Sequence, residues 1–129
     1  MKKRVAVYVR VSTKDQSVDM QLNDLERYSR ERGLEVFKVY EDNGVSGTKE
    51  TRPALNELMN DAKKKMFDIV LVWRFDRFAR STKHLVTALH EFRHLGIDFI
   101  SFQENIDTSS PLGEAIFTII SAMSTLERD

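Results

Sequence analysis

The sequence predicts a three-layer α/β domain with a mainly parallel sheet of about four to five strands and a long C-terminal helix. Short strand-like runs alternate with amphipathic helices along the 129 residues, which is the rhythm of an α/β fold. The unbroken apolar run Ile69–Val72 indicates a strand buried on both faces, as in parallel sheets. Gly33 and Gly96 stand where a glycine ends a helix.

The first strand carries the first functional signal. Side chains alternate across a strand, so Val5, Val7, Val9 and Val11 share one face, and Ala6, Tyr8, Arg10 and Ser12 share the other. We expect the valine face to lie in the core. We expect the opposite face to present a phenol, a guanidinium and a hydroxyl to a functional site.

The remaining elements follow from spacing. A helix is expected over residues 17–32, a strand over 34–40, a polar loop over 41–53 and a helix entered through Pro53. A strand over 67–73 and a helix capped by Ser81 or Thr82 come next. They are followed by a strand over 97–102 and a final helix from about Leu112 to the last residue.

Composition restricts the class of protein. Basic and acidic residues cancel to a net charge of zero, and the chain has no cysteine. A disulfide-stabilised secreted domain and cysteine-based metal sites are therefore excluded. The chain also lacks an apolar run of bilayer length. We expect a cytoplasmic domain without a membrane partner.

The loops after the parallel strands should meet at one edge of the sheet, where ligands of such folds bind. The first ends in Ser12, and the third carries Arg74, Arg77 and Arg80, with Phe75 and Phe78 able to anchor it. A serine surrounded by guanidiniums suits attack on a phosphodiester, because arginine donates bidentately to the oxygens that gather charge. No histidine-based nucleophile motif and no Walker glycine loop compete with this interpretation.

Four stretches resemble the motifs of the serine recombinases, the family of resolvases, invertases, large serine integrases and transposases. Tyr8 to Gln16 resembles the nucleophile motif, with Gln21 as its second glutamine, and Asp42 to Pro53 resembles the second loop motif. Asp76 to Ser81 resembles the motif D-R-x-x-R-S, and Glu127-Arg128 resembles the pair on the long helix.

This resemblance implies a resolvase-like fold and a DNA recombinase. Ser12 would attack the DNA backbone, form a 5′-phosphoserine link and free a 3′-hydroxyl, and reversal would rejoin the strands. No metal or other cofactor is implied. The implied partners are double-stranded DNA and a second copy, in a homodimer that pairs into a synaptic tetramer.

The resemblance also assigns residues. The implied catalytic residues are Ser12, the phosphate-binding Arg10, Arg77 and Arg80, and also Asp76, Gln21 and Arg128. The implied supporting or substrate-binding residues are Tyr8, Gln16, Asp42, Ser46, Arg52 and Glu127. The general base for Ser12 and the acid for the leaving oxygen stay open.

A zinc peptidase is the first alternative, because residues 90–94 match H-E-x-x-H on a predicted helix. The third ligand would have to be Glu104, Asp107 or Glu114, and no motif favours any of them. The simpler interpretation is that His90 and His94 lie on a solvated helix face.

A non-catalytic dimerisation or regulatory module of the same fold is the second alternative. The final helix is apolar on more than one face, so part of it should pack against something outside its own domain. We expect residues 1–129 to be a catalytic domain cut within its long helix, with the DNA-binding region absent.

Overall fold

The computed structural model describes the backbone of residues 2–12, 18–44, 52–79 and 81–128. Within these ranges it does not describe the side chains of Val11, Ser12, Ser124, Glu127 and Arg128. The strands are β1 (Arg4–Ser12), β2 (Glu35–Gly44), β3 (Ile69–Val72), β4 (Asp98–Ser101) and β5 (Ile106–Asp107). The helices are α1 (Val18–Glu31), α2 (Pro53–Lys63), α3 (Phe75–Phe78), α4 (Thr82–His94) and α5 (Pro111–Arg128).

Within the described residues the sheet has five strands in the order β2-β1-β3-β4-β5. All neighbouring pairs are parallel except β4 and β5, which are antiparallel. The chain moves outward from β1 to β2 and then crosses back to β3, so the direction of winding reverses between β1 and β3. Open α/β sheets bind ligands at such a reversal, beyond the carboxyl ends of the strands.

Two hydrophobic clusters confirm the three layers. The cluster on one face joins α1 to the sheet through Leu25, Val5, Val7, Val9 and Leu71. The cluster on the other face joins α2, α3, α4 and the start of α5 to the sheet, with Tyr8, Leu58, Phe78, Phe92, Phe99 and Phe117 among its members. Helices therefore cover both faces, as the unbroken β3 run predicts.

The predicted helix ends are confirmed. The hydroxyl of Ser81 accepts a hydrogen bond from the His84 N–H at 3.1 Å, so Ser81 is the N-cap of α4. Gly33 and Gly96 end α1 and α4 with φ values of 68° and 74°, in the left-handed region that favours glycine. No helix in the described ranges combines the length and hydropathy needed to cross a membrane.

Two expectations need correction. The face of β1 opposite the valines is also core, since Ala6 and Tyr8 are fully buried beneath α2 and α3. The strand β2 extends to Gly44, whereas the sequence suggested a loop from residue 41. The reason is the length of β1, which pairs with β2 as far as Ser12 and Gly44 and so holds Asp42 in the strand.

Candidate active site

The carboxyl ends of β1 and β2 form one side of the candidate site. Arg10 pairs in register with Asp42, and Ser12, the last residue of β1, pairs with Gly44. On the other side of β1, the strand β3 ends at Val72, and the single-turn helix α3 begins at Phe75. The sheet therefore brings the first and third motifs to the same edge.

Tyr8 connects β1 to β2 beneath this edge. Its hydroxyl donates a hydrogen bond of 2.8 Å to Oδ2 of Asp42, and both side chains are buried. Burial raises the pKa of the Tyr8 hydroxyl, and the hydrogen bond to Asp42 and the charge of its carboxylate raise it further. The charges of Arg52 and Arg10 act in the opposite direction and do not cancel this. Tyr8 is therefore a neutral hydrogen-bond donor rather than an accessible nucleophile.

Asp42 also holds the start of α2. Its Oδ1 accepts from the Ala54 N–H at 2.8 Å, and its Oδ2 accepts from the Leu55 N–H at 3.0 Å. Pro53, the first residue of α2, has no N–H. A carboxylate from a neighbouring strand thus satisfies amides that a helix N-terminus leaves without intrahelical partners.

Arg52 connects α2 to α3. It lies at the N-cap position of α2, is buried, and its guanidinium donates to the main-chain carbonyl of Phe78. The Phe78 ring is itself fully buried and packs edge-on against Tyr8, with ring centroids 5.9 Å apart. The prediction that Phe75 and Phe78 anchor the arginine-bearing turn is confirmed, since Phe75 stacks on Phe99 at 6.0 Å.

Arg10 connects β1 to α3 at the surface of the site. Its guanidinium lies 3.5 Å from the main-chain carbonyl of Asp76, and its side chain is partly exposed. The Asp76 carboxylate pairs with Arg74 at 3.0 Å and is exposed. Arg77, the next residue of α3, is partly buried. Arg10, Asp76 and Arg77 thus lie on adjoining elements at the carboxyl edge.

Gln21 lies on the helix that follows the first motif. Its side chain is 5% exposed, and within the described part of the chain its Oε1 has no hydrogen-bond partner. A buried amide oxygen without a partner costs free energy, and a functional role is one of the explanations for such a group.

Six predicted positions cannot be placed through their side chains. Gln16, Ser46 and Arg80 lie outside the described residues, as do the side chains of Ser12, Glu127 and Arg128. The roles of these six, like those of the other predicted site residues, stay predictions.

The zinc interpretation gains no support from the described residues. His90 and His94 are both exposed, and the His90 ring packs against Phe117 with centroids 4.9 Å apart. No group of histidine, aspartate and glutamate side chains in the described ranges is arranged to hold a metal ion.

Sequence reasoning missed the main-chain groups of the site. The carbonyls of Asp76 and Phe78 and the amides of Ala54 and Leu55 bind the charged side chains. No side-chain pattern can predict these partners, because each depends on how separate elements pack. Only Pro53 at the start of α2 hinted that a helix terminus lies here.

Comparison with known proteins decides the family. The family model described as "Resolvase, N terminal domain" matches residues 5–129. The chain belongs to the serine recombinase family. It is 37% identical to the Transposon Tn917 resolvase of Enterococcus faecalis and 40% identical to the serine recombinase gin of Escherichia phage Mu. Both matches cover 95% of this chain, but only 61% and 58% of these relatives, so the chain spans about three fifths of their length.

The fold of this serine recombinase chain is also similar to that of a solved structure. The N-terminal catalytic domain of TP901-1 integrase is 44% identical, with a TM-score of 0.88. The match covers 98% of this chain and 97% of that one. The predicted resolvase-like fold is therefore confirmed.

Proposed function

We propose that this chain is the catalytic domain of a site-specific DNA recombinase that cuts and rejoins DNA through Ser12. The observation that carries the proposal is the meeting of Arg10 and α3 at the edge where β1 ends in Ser12. Membership of a family that includes resolvases and invertases supports the same reaction.

In the proposed reaction the Ser12 oxygen attacks a backbone phosphorus. The Ser12 hydroxyl loses its proton as a bond forms between its oxygen and phosphorus, the bond from phosphorus to the 3′-oxygen breaks, and the 3′-oxygen takes a proton. After strand exchange a free 3′-hydroxyl attacks the phosphoserine, which restores a phosphodiester and returns a proton to Ser12. One ester replaces another at each step, so the reaction needs no high-energy cofactor.

Three arginines are proposed to bind the scissile phosphate: Arg10, Arg77 and Arg80. Their guanidiniums would stabilise the charge that gathers on the non-bridging oxygens. Asp76 and Gln21 are proposed to orient groups or assist proton transfer, and Arg128 is proposed to complete the site. The exposed carboxylate of Asp76 and the buried amide of Gln21 suit these roles.

Tyr8, Asp42 and Arg52 are proposed to support the site from beneath. Their burial, the bond between Tyr8 and Asp42, and the bond from Arg52 to the Phe78 carbonyl favour this role over direct contact with DNA. They connect β1, β2, α2 and α3, the elements that carry the proposed phosphate ligands. Gln16, Ser46 and Glu127 are proposed as further supporting or DNA-binding residues by resemblance alone.

The proposed partners are double-stranded DNA and further copies of the protein, as a homodimer that pairs into a tetramer. The C-terminal part of α5 supports self-association, because Ile119, Met123 and Leu126 are 58%, 52% and 74% exposed. Such an apolar face is typical of a surface that packs against a partner. DNA as the substrate agrees with the expected cytoplasmic location.

The same exposed face favours the second candidate, a non-catalytic dimerisation module. The two candidates differ in covalent chemistry, and a module that only associates would never become linked to DNA. We therefore test for the link itself.

The test uses the full-length protein that contains this chain. Cells producing it are lysed in denaturing detergent, the DNA fragments linked to the protein are sequenced, and the recovered site is built into a nicked duplex that traps the adduct. We expect an adduct mapping to Ser12 that forms without added divalent metal. We expect none from Ser12→Ala, and substantial adduct from the control Thr13→Ala. An adduct that persists in Ser12→Ala would refute the proposal.

A further inference from the structure

The turn after β4 approaches the arginine-bearing helix α3. The Phe102 N–H donates to the Val72 carbonyl and the Gln103 N–H donates to the Trp73 carbonyl, both at 2.9 Å, so pairing continues past the ends of β4 and β3. Asn105 then adopts a left-handed conformation with φ of 56° and donates its N–H to the Phe102 carbonyl at 3.2 Å. This turn holds Glu104 beside the start of α3.

The carboxylate of Glu104 connects the turn to α3. Its Oε2 accepts from the Phe75 N–H at 3.3 Å, and its Oε1 accepts from the hydroxyl of Ser101, which is buried in β4. Phe75 is the first residue of α3, and the side chain of Arg74 at the N-cap position makes no capping bond. Glu104 therefore supplies an acceptor for one of the amides that a helix N-terminus leaves without an intrahelical partner.

The single turn of α3 contacts β1 through Asp76 as well as through Phe78. Asp76 follows Phe75 directly, and its carbonyl lies 3.5 Å from the Arg10 guanidinium. Arg52 holds the other end of α3 at the Phe78 carbonyl. Glu104, in the turn after β4, and Arg52, at the start of α2, thus hold the two ends of the same turn.

We infer that Glu104 is a positioning residue that sets Asp76 and Arg77 against Arg10, an inference that rests on the proposed function. It does not touch the DNA. It acts through the Phe75 amide, and Ser101 fixes the carboxylate from below. Displacing catalytic groups by about 1 Å can slow a reaction about 100-fold, so a single bond at this turn is enough to matter.

Two substitutions at position 104 separate the effect of its hydrogen bonds from the effect of its charge. Glutamine at position 104 can accept from the Phe75 N–H and donate to the Ser101 hydroxyl, which also accepts hydrogen bonds. Glu104→Gln should therefore keep the position of α3 while removing the negative charge. Glu104→Ala removes both. Gln103→Ala is the matched control, since Gln103 is an exposed neighbour in the same turn.

The experiment measures three quantities in the full-length protein. The first is hydrogen exchange of the α3 amides, Phe75 to Phe78, without DNA. The second is the rate of adduct formation on the nicked duplex at saturating concentration, and the third is the Kd of the protein for that duplex. Glu104→Ala should accelerate α3 exchange about tenfold and slow adduct formation about 10- to 100-fold, with Kd little changed. Glu104→Gln and Gln103→Ala should remain within about threefold of the unsubstituted protein in all three.

Two results would overturn the inference. One is unchanged α3 exchange in Glu104→Ala, which would show that the bond to Phe75 does not hold the turn. The other is a Glu104→Gln variant as slow as Glu104→Ala, which would assign the effect to charge. The exchange measurement does not depend on DNA chemistry. A protein that forms no adduct at all would thus refute the proposed function without being mistaken for a failure of positioning.

Discussion

The hydroxyl of Tyr8 donates a 2.8 Å hydrogen bond to a carboxylate, Asp42, that also caps a helix. One buried aspartate thereby accepts hydrogen bonds from a phenol of β1 and from two amides of α2. Both partners come from elements that flank the candidate site. The stability of this network and the geometry of the site should therefore change together.

Tyr8→Phe removes one of the donors to Asp42 and leaves the ring in place. The carboxylate keeps both α2 amides, so we expect a loss of about 1 to 2 kcal/mol in the free energy of unfolding. Asp42→Ala leaves the phenol and the two amides without their acceptor, and should lower the free energy of unfolding by about 3 kcal/mol or more. Urea denaturation of the two variants checks this order, and equal losses would contradict the central place of Asp42.

Alkaline pH should weaken the fold through Tyr8. Its pKa is raised in the folded protein by burial and by Asp42, above the ordinary value of 10.0. As pH rises past that value the unfolded chain releases the tyrosine proton first, so the unfolded state binds fewer protons and stability falls. Below it this contribution is fully present.

Tyr8→Phe should therefore lose less stability than the unsubstituted protein between about pH 9 and 11, although it starts lower. Tyr40 contributes in the same direction, because burial and its bond to Asp61 raise its pKa. Tyr40→Phe should likewise reduce the decrease in the free energy of unfolding with rising pH. Urea midpoints across this pH range measure both effects, and parallel curves for the three proteins would contradict them.

Arg10→Lys and Arg77→Lys should fail to support adduct formation. An ammonium keeps the charge but lacks the planar fork that binds two phosphate oxygens, so we expect losses of about 100- to 1,000-fold. The matched control is Arg27→Lys on the exposed face of α1, where the side chain pairs only with Asp24 and Glu31 among the described residues. Adduct rates on the nicked duplex measure the effect. Near-normal rates in Arg10→Lys would show that charge alone suffices.

Periodicity predicted much of this fold. The alternation in β1 sorted Tyr8 and Arg10 onto the face opposite the valines, and the glycine and serine signals located the ends of α1 and α4. The full burial of Tyr8 was not predicted. Alternation tells which face a side chain takes, but not whether a helix from later in the chain covers it.

The site shows the same limit. Sequence motifs selected Asp42 and Arg52 but could not tell that one caps α2 and the other binds the Phe78 carbonyl. The sequence indicates Glu104 only as a possible zinc ligand. Its bond to Phe75 joins residues 29 positions apart, and no local pattern predicts such a contact. Contacts of this kind depend on packing between elements.

Gly113→Ala should destabilise the start of α5, against the usual preference for alanine in helices. A Cβ at Gly113 would lie 1.8 Å from the main-chain oxygen of Asp107, so the helix or the β5 turn must move. The Ser110 hydroxyl fixes this approach by accepting from the Gly113 N–H at 3.0 Å and donating to the same Asp107 oxygen at 2.7 Å. Propensity alone predicts a gain of about 1 kcal/mol, whereas the clash should cost about 1 to 3 kcal/mol.

The matched control for Gly113→Ala is Ala115→Gly, an exposed position in the same turn of α5. It should lose about 1 kcal/mol by propensity. Both substitutions are thus expected to destabilise, although they change alanine content in opposite directions. Urea unfolding gives the free energies, and hydrogen exchange along α5 locates the loss. A stabilised Gly113→Ala would show that the turn yields easily and that α5 is not held at Asp107, whereas selective loss of protection in its first turn would place the strain there.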